Sequence, residues 1–356
     1  LQSSAASDVY KRQLLRPSVT IVFDNISKEI SIFSCSRPKE NQTADENYKN
    51  IEKNIKETFI SLNNESIEEK KYSKQKNIEN PKSNTSKDEY FEMVKKAREY
   101  IIAGDIFQVV PSQRFFTPFK ISPFKLYESL RKINPSPYMY YLDLEDFYIV
   151  GSSPETLVKT ENNKITIKPI AGTRLKQEYP NRELEKELLS DPKERAEHLM
   201  LLDLGRNDVG RVAKIGSIKV KNPFSIQETS NLIHIVSTVE GDLREDEDQI
   251  SSLSAGFPAG TVSGAPKIRA MEIIDELEKE KRGIYAGAVG YFSANGDMDT
   301  AIALRTAIIK DEMMYVQAGG GVVYDSNEEY EYNETVNKSQ ALFKAAKDAI
   351  LNNLKE

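Results

Sequence analysis

Between Tyr138 and Ile170 the chain runs through four β-prone segments in close succession: YMYYLDL, FYIVGSSPE, TLVKT and KITIKPI. The first two read as a hairpin that turns around Glu145 and Asp146. Strands this closely spaced leave no room for the helical crossover that parallel pairing requires, so they pair antiparallel. Elsewhere SVTIVF and EISIF form a second hairpin pattern around DNIS, and IFQVVPSQRFF alternates as a strand. SIKV, IHIVSTVEG, GAVGYFSA, DTAIALRTAII and MMYVQA are further strand-like runs. Helical spacing appears in blocks instead of alternating with strands. YFEMVKKAREYIIAG ends on Gly104 as a C-cap, PFKLYESLRKI is amphipathic, and two helices follow at Arg182–Leu189 and from Lys193 to about Val212. A helix with Pro266 at its first position and a closing helix from Glu328 to Leu351 complete the set. This order predicts an α+β fold with mostly antiparallel sheet, not a regular βαβ repeat.

At 356 residues the chain has length for one large domain or two ordinary ones. Residues 1–13 begin at Leu1, show no pattern, and are set aside as possibly non-native. Residues 14–36 carry the first hairpin and read as the remnant of an N-terminal region. Residues 37–89 are rich in Asn, Lys, Glu and Ser and read as a polar connector, either a solvated helix or a flexible link. The densely patterned region is 90–356. A net charge of −6 with both signs abundant argues against nucleic acid as a partner. No apolar run approaches a membrane span, so no membrane partner is expected. One cysteine, Cys35, allows no internal disulfide, which fits a reducing cytoplasm. With His198 and His234 as the only histidines, zinc of the usual ligand types is improbable.

Several stretches could carry chemistry, each with a plain structural alternative. AGFPAGTVSGAPK has two glycines, hydroxyls and Lys267 entering a helix. Its spacing fails the Walker pattern, which leaves a helix-entry turn or an anion-facing loop equally open. In EEYEYNETVNKSQ, Glu331, Glu334 and Lys338 share one helical face, and Glu334–Lys338 is also the ordinary surface pair. Glu197, in ERAEHLMLLDLGRND, lies among apolar residues and needs a partner, a metal or exposure. Two such helix-borne glutamates meeting in space would suit Mg²⁺. Gly319, Gly320 and Gly321 form either a bulge or bare backbone meeting a ligand. Arg305 closes the apolar run AIAL, where a guanidinium calls for a carboxylate. His234 sits in an apolar strand, the usual place of a satisfied core histidine.

Taken together, PIAGTR, ERAEHLMLLDLGRND, FPAGTVSGAPKIRAMEII, RGIYAGAVGYFSANGDMDTAIALR, QAGGGVVYDS and YNETVNK resemble, in order and spacing, the chorismate-utilising enzymes, and among them most closely the anthranilate synthase large subunits. The resemblance covers about Tyr90 to Leu351, so 90–356 would be a chorismate-binding catalytic domain. It implies two antiparallel sheets packed as a sandwich, helices outside, and the site between. It also implies conversion of chorismate and ammonia to anthranilate and pyruvate with Mg²⁺. By motif position Glu197 and Glu334 would hold the metal and Glu331 would assist through water. Gly172, Thr173, Tyr285, Arg305, Gly319, Gly320, Gly321 and Lys338 would bind chorismate. Glu155 would be the general acid for the departing ring hydroxyl, with His234 and Thr261 beside the reacting ring.

Two positions separate the members chemically. Water-adding members carry lysine where this chain has Gln108, and an amide is no general base at neutral pH. Aminodeoxychorismate synthases carry lysine as a covalent nucleophile where this chain has Ala171. Both differences favour direct amination. The rivals are an aminodeoxychorismate synthase and a non-catalytic chorismate-binding protein. A glutamine amidotransferase subunit is the expected ammonia source. NPSPYMY matches half of a tryptophan feedback site through Pro137, Tyr138 and Met139. The other half falls in an N-terminal segment outside this sequence, so feedback is expected to be weakened.

Overall fold

The computed structural model describes residues 13–37, 41–64, 72–176, 181–228 and 232–354, without the side chains of Thr173, Leu175, Asn181 and Leu232. The 1–13 stretch lies outside this description apart from Gln13. The chain divides into two compact units, residues 1–71 and 72–356. In the first, Val19–Asp24 pairs antiparallel with Glu29–Ser34. A helix at Ala44–Asn63 follows, opened by a Thr43/Glu46 capping box, and none of its residues is buried. Of the polar 37–89 stretch, residues 72–89 belong to the second unit, where Gln75 and Thr85 are buried.

Two antiparallel sheets dominate the second unit. The first runs in the order Lys82–Ser83, Ser112–Pro118, Met313–Gly319, Thr306–Lys310, Tyr148–Ser153, Tyr138–Asp143. The second runs Ile170–Leu175, Leu232–Asp242, Lys164–Ile167, Thr156–Glu161, Met298–Ile302, Ala288–Phe292, with Lys219–Glu228 also pairing to Leu232–Asp242. This is the expected α+β, two-sheet architecture. Each sheet has its own core. Leu126 and Leu130 of helix Pro123–Ile133 and Leu342, Ala346 and Ile350 of helix Glu328–Asn353 pack on Val150, Ile309 and Val316. Leu202 and Val209 of helix Pro192–Gly210 pack on Leu157, Ile165 and Val239 of the second sheet. Each fully buried leucine contributes about 2 kcal/mol.

Local signals place the helices. Ser86 and Glu89 form a capping box for Lys87–Ile102, and Gly104 supplies the left-handed turn beyond it (φ 84°). Asp191 accepts from the backbone N–H groups of Lys193 and Glu194 and opens Pro192–Gly210.

Three local expectations change. IFQVVPSQRFF is two strands, Gln108–Val109 and Ser112–Pro118, because Pro111 interrupts it and the first piece pairs with Gly264–Ala265 instead. DTAIALRTAII also splits: Met298–Ile302 lies in the second sheet and Thr306–Lys310 in the first. The crossing centres on Arg305, whose φ of 47° is unusual for a side-chain-bearing residue. Pro266 stands just before the first helical residue, Lys267, since its extended ψ of 139° continues the short Gly264–Ala265 strand.

Candidate active site

Helix Glu328–Asn353 buries a stripe that is polar at its start, through Glu331, Thr335 and Ser339, and apolar from Leu342 onward. Thr335 is fixed by Gln113, whose Nε2 donates to it at 2.7 Å. One turn away Glu331 is buried, and its Oε1 accepts from Ser326 Oγ at 2.7 Å. Its Oε2 is buried with no hydrogen-bond partner. Burial pushes the Glu331 carboxyl up to about 7, with Glu334 adding repulsion. Both side chains back onto Gly320, where an added Cβ would lie 3.1 Å from Glu331 Oε2 and 3.2 Å from Glu334 Oε2. The surface pair Glu334–Lys338 also exists, at 3.1 Å, and Lys338 Nζ donates to the Gly319 carbonyl at 3.0 Å. The helix therefore carries a solvated ion pair and a buried carboxyl on adjoining positions.

Across from it, Gln108 Nε2 donates to Glu197 Oε1 at 3.3 Å, and a Cβ on Gly321 would lie 2.8 Å from the same nitrogen. Burial raises the Glu197 pKa, and Glu194 and Glu334 raise it further. Glu194 went unrecognised in the sequence. It lies one turn before Glu197, is bound by Arg174 Nη1 at 2.6 Å, and its Oε2 would meet a Cβ on Gly172 at 3.1 Å. The i, i+3 spacing of Glu194 and Glu197 within ERAE was the available signal.

Glu155 is buried, and desolvation pushes its carboxyl up to about 7 against the pull of Thr261, Lys338 and Arg305. Thr261 is close enough to act on it, yet its Oγ1 is buried without a hydrogen bond of good geometry. Arg305 reaches Asn134 Oδ1 at only 3.5 Å, leaving its guanidinium largely for a ligand. His234 pairs in register with Thr173 and Gln227 and is bonded to the Gly172 backbone. Burial and the Arg305 charge lower its pKa, so it is neutral at pH 7. Thr173 is placed by its backbone alone. Tyr285 is buried with its hydroxyl at the Gly319 backbone, and desolvation pushes it up to about 12.

The AGFPAGTVSGAPK loop spends its charge internally. Lys267 Nζ is buried against Asp208 Oδ2 at 2.8 Å, and Ser263 Oγ donates to the Ala259 carbonyl. Gly264, at φ 136°, is required because a Cβ would overlap the Gln108 carbonyl. Thr261 is the side chain left for the site. A second unrecognised group, Arg282, holds the loop in place: it donates to the Val262 and Val110 carbonyls and to Glu278, which accepts from Ser112. His198 is a core residue, packed on Phe224 and bonded to Ser237 at 2.6 Å; burial lowers its pKa to about 4. Pro137, Tyr138 and Met139 join none of these contacts. Tyr138 bonds Thr156 and Asp299, and Met139 packs against the first core.

Among the described residues no three His, Cys, Asp or Glu side chains close into a metal cage by themselves. The donor set nevertheless fits a hard cation that shares its shell with substrate and water: an orphaned Glu331 oxygen, a nearby Glu334 oxygen, and Glu197 opposite.

The two antiparallel sheets, with the carboxyls, the arginine and the glycine backbone they carry, define an α+β enzyme. The chain belongs to the chorismate binding enzyme family, whose model matches residues 5–344. It is 52% identical over 338 residues to anthranilate synthase component 1 of Cereibacter sphaeroides, spanning 94% of this chain and 68% of that one. To the component 1 of Aquifex aeolicus it is 49% identical over 348 residues, spanning 95% and 68%. The crystal structure of anthranilate synthase component I from Streptococcus pneumoniae matches with a TM-score of 0.81 at 38% identity, covering 95% of this chain and 78% of that one.

Proposed function

We propose that this chain converts chorismate and ammonia to anthranilate and pyruvate, the first step of tryptophan biosynthesis, with Mg²⁺ as cofactor. One observation carries the choice of nucleophile: the buried amide of Gln108, donating to Glu197. A water-adding enzyme needs a base there, and an amide is not one near neutral pH, so the nucleophile must arrive competent, as NH₃ does. Ala171, buried on its strand, has no amine with which to capture substrate covalently.

Glu197 and Glu334 hold Mg²⁺ in this reading, and Glu331 assists through water. Bound there, the ion would neutralise the ring carboxylate of chorismate. Gly172, Thr173, Tyr285 and the Gly319–Gly321 backbone form the cradle. Arg305 takes the enolpyruvyl carboxylate, and Lys338 adds positive charge. Glu155, whose carboxyl burial raises to about 7, gives its proton to the departing ring hydroxyl, and Thr261 orients it. Neutral His234 can accept a proton at the ring. A glutamine amidotransferase subunit supplies the ammonia, Pro137, Tyr138 and Met139 offer only half of a tryptophan feedback site, and the lone Cys35 thiol suits the cytoplasm.

Incubation with chorismate, Mg²⁺ and ammonium at alkaline pH should produce anthranilate fluorescence. Accumulation of isochorismate or 4-aminodeoxychorismate would overturn the assignment. Glu334→Gln should abolish turnover while the melting transition persists, which separates catalysis from mere chorismate binding.

A further inference from the structure

A cavity beside the site is lined by Glu155 and Thr261 together with Leu204, Asp208, Gly256 and the exposed Lys168. Two buried oxygens on its wall, Thr261 Oγ1 and Asp208 Oδ1, have no hydrogen-bond partner. Asp208 cannot swing away to find one. Its other oxygen is held by Lys267 Nζ at 2.8 Å, and the ammonium is itself held at the Gly256 carbonyl, 3.4 Å away. Orphaned acceptors on the wall of an otherwise largely apolar cavity are where a protein retains ordered water. Lys168, on the same wall, is exposed to solvent.

We propose that this cavity returns the proton to Glu155, with Asp208 positioning the water that carries it. This rests on Glu155 acting as the acid, and the chemistry balances as follows. Glu155 gives its proton to the ring hydroxyl, whose carbon–oxygen bond breaks so that it leaves as water. The attacking NH₃ forms the new carbon–nitrogen bond and becomes a ring-bound ammonium, which sheds one proton to become the amine. Glu155 is left as a carboxylate and regains one proton through the cavity, so none is gained or lost overall and nothing is oxidised or reduced. With substrate seated on its other side, the buried Glu155 carboxyl needs such a second approach. The Lys267–Asp208 pair keeps Asp208 Oδ1 aimed at the water without making Asp208 touch the substrate.

Two variants of the full chain test this, assayed with chorismate, Mg²⁺ and ammonium. Asp208→Asn alters the wall, and Ala259→Leu places bulk in the cavity that Ala259 also lines. In both, kcat should fall on the order of 10²-fold, KM for chorismate should hold, and the solvent deuterium isotope effect on kcat should rise as proton return becomes rate-limiting. An unchanged kcat and isotope effect in Ala259→Leu, or a loss carried by KM alone, overturns the route. Glu155→Gln separates this from the underlying reading. If it turns over at the wild-type rate, Glu155 is not the acid; if it is inactive while both cavity variants behave as wild type, only the route is wrong.

Discussion

Gly320→Ala places one methyl group where the two carboxyls meet. The new Cβ would lie 3.1 Å from Glu331 Oε2, 3.2 Å from the Glu331 carbonyl and 3.2 Å from Glu334 Oε2. Ordinary contact begins at 3.4 Å, so the neighbours must yield by about 0.2–0.3 Å. Gly320 is not in the left-handed region, so the effect is steric and not backbone strain. The Glu331 carbonyl belongs to a helix and yields little, and the side chains take up the displacement. Such mild overpacking costs about 1 kcal/mol of stability, or a Tm shift of about 1–2 °C. Magnesium is less forgiving, because it demands near-ideal octahedral geometry, and disturbed supporting contacts typically weaken a metal site about 10–100-fold. The Mg²⁺ concentration for half-maximal anthranilate fluorescence should therefore rise by that factor while the melt barely moves. Gly296→Ala is the control: at φ 93° with nothing within 4 Å, it should lose about 1 kcal/mol through backbone strain and leave the Mg²⁺ dependence alone. Wild-type Mg²⁺ dependence in Gly320→Ala, or an equal change in Gly296→Ala, would refute the placement of the metal.

Three further outcomes can be checked. At constant free NH₃, kcat should decline as pH rises through about 7, because Glu155 must carry its proton to act and is held near that value by burial; a flat profile removes Glu155 as the acid. The Glu331 pKa is raised from 4.5 to about 7, so between those values the folded state binds more protons than the unfolded chain and stability falls as pH rises. Glu331→Gln should flatten that slope and raise stability at pH 8 by about 3 kcal/mol, read from urea midpoints with magnesium omitted; a lower midpoint would contradict it. Lys267→Met strands a buried Asp208 and should cost about 3–5 kcal/mol, much of it recovered in Lys267→Met/Asp208→Leu; a double variant as unstable as the single one would show that packing, not charge, is at issue.

The hairpins, the helices and the α+β class were legible because they rest on local patterns: alternation, helical spacing and Gly104 after its helix, whereas the Ser86/Glu89 box that opens that helix passed unread. The candidate residues were legible as motifs, but their states were not. Glu331 and Glu334 read alike in EEYEYNETVNK, yet one is buried against Ser326 and the other shares a solvated pair with Lys338. Lys267 read as a possible anion-binding charge and proved to be the buried partner of Asp208. Glu194 and Arg282 passed unnoticed because an acidic or basic residue near a helix end is ordinarily a surface residue.

By itself the sequence determined which segments become strands and helices, and it carried the motif set that marks the chorismate binding enzymes. The tertiary structure alone decided where DTAIALRTAII breaks to pass between sheets, which sets Arg305 at its turn, and which loop groups remain for the site once Ser263 and Lys267 are committed elsewhere. The reason is distance along the chain. Gln108 and Glu197 are 89 positions apart, and Lys267 and Asp208 are 59 apart. Periodicity reports only which face of its own element a residue occupies. Whether that face meets water, a carboxylate or bare glycine backbone is set by elements brought together from far along the chain, and with it the protonation state on which the chemistry depends.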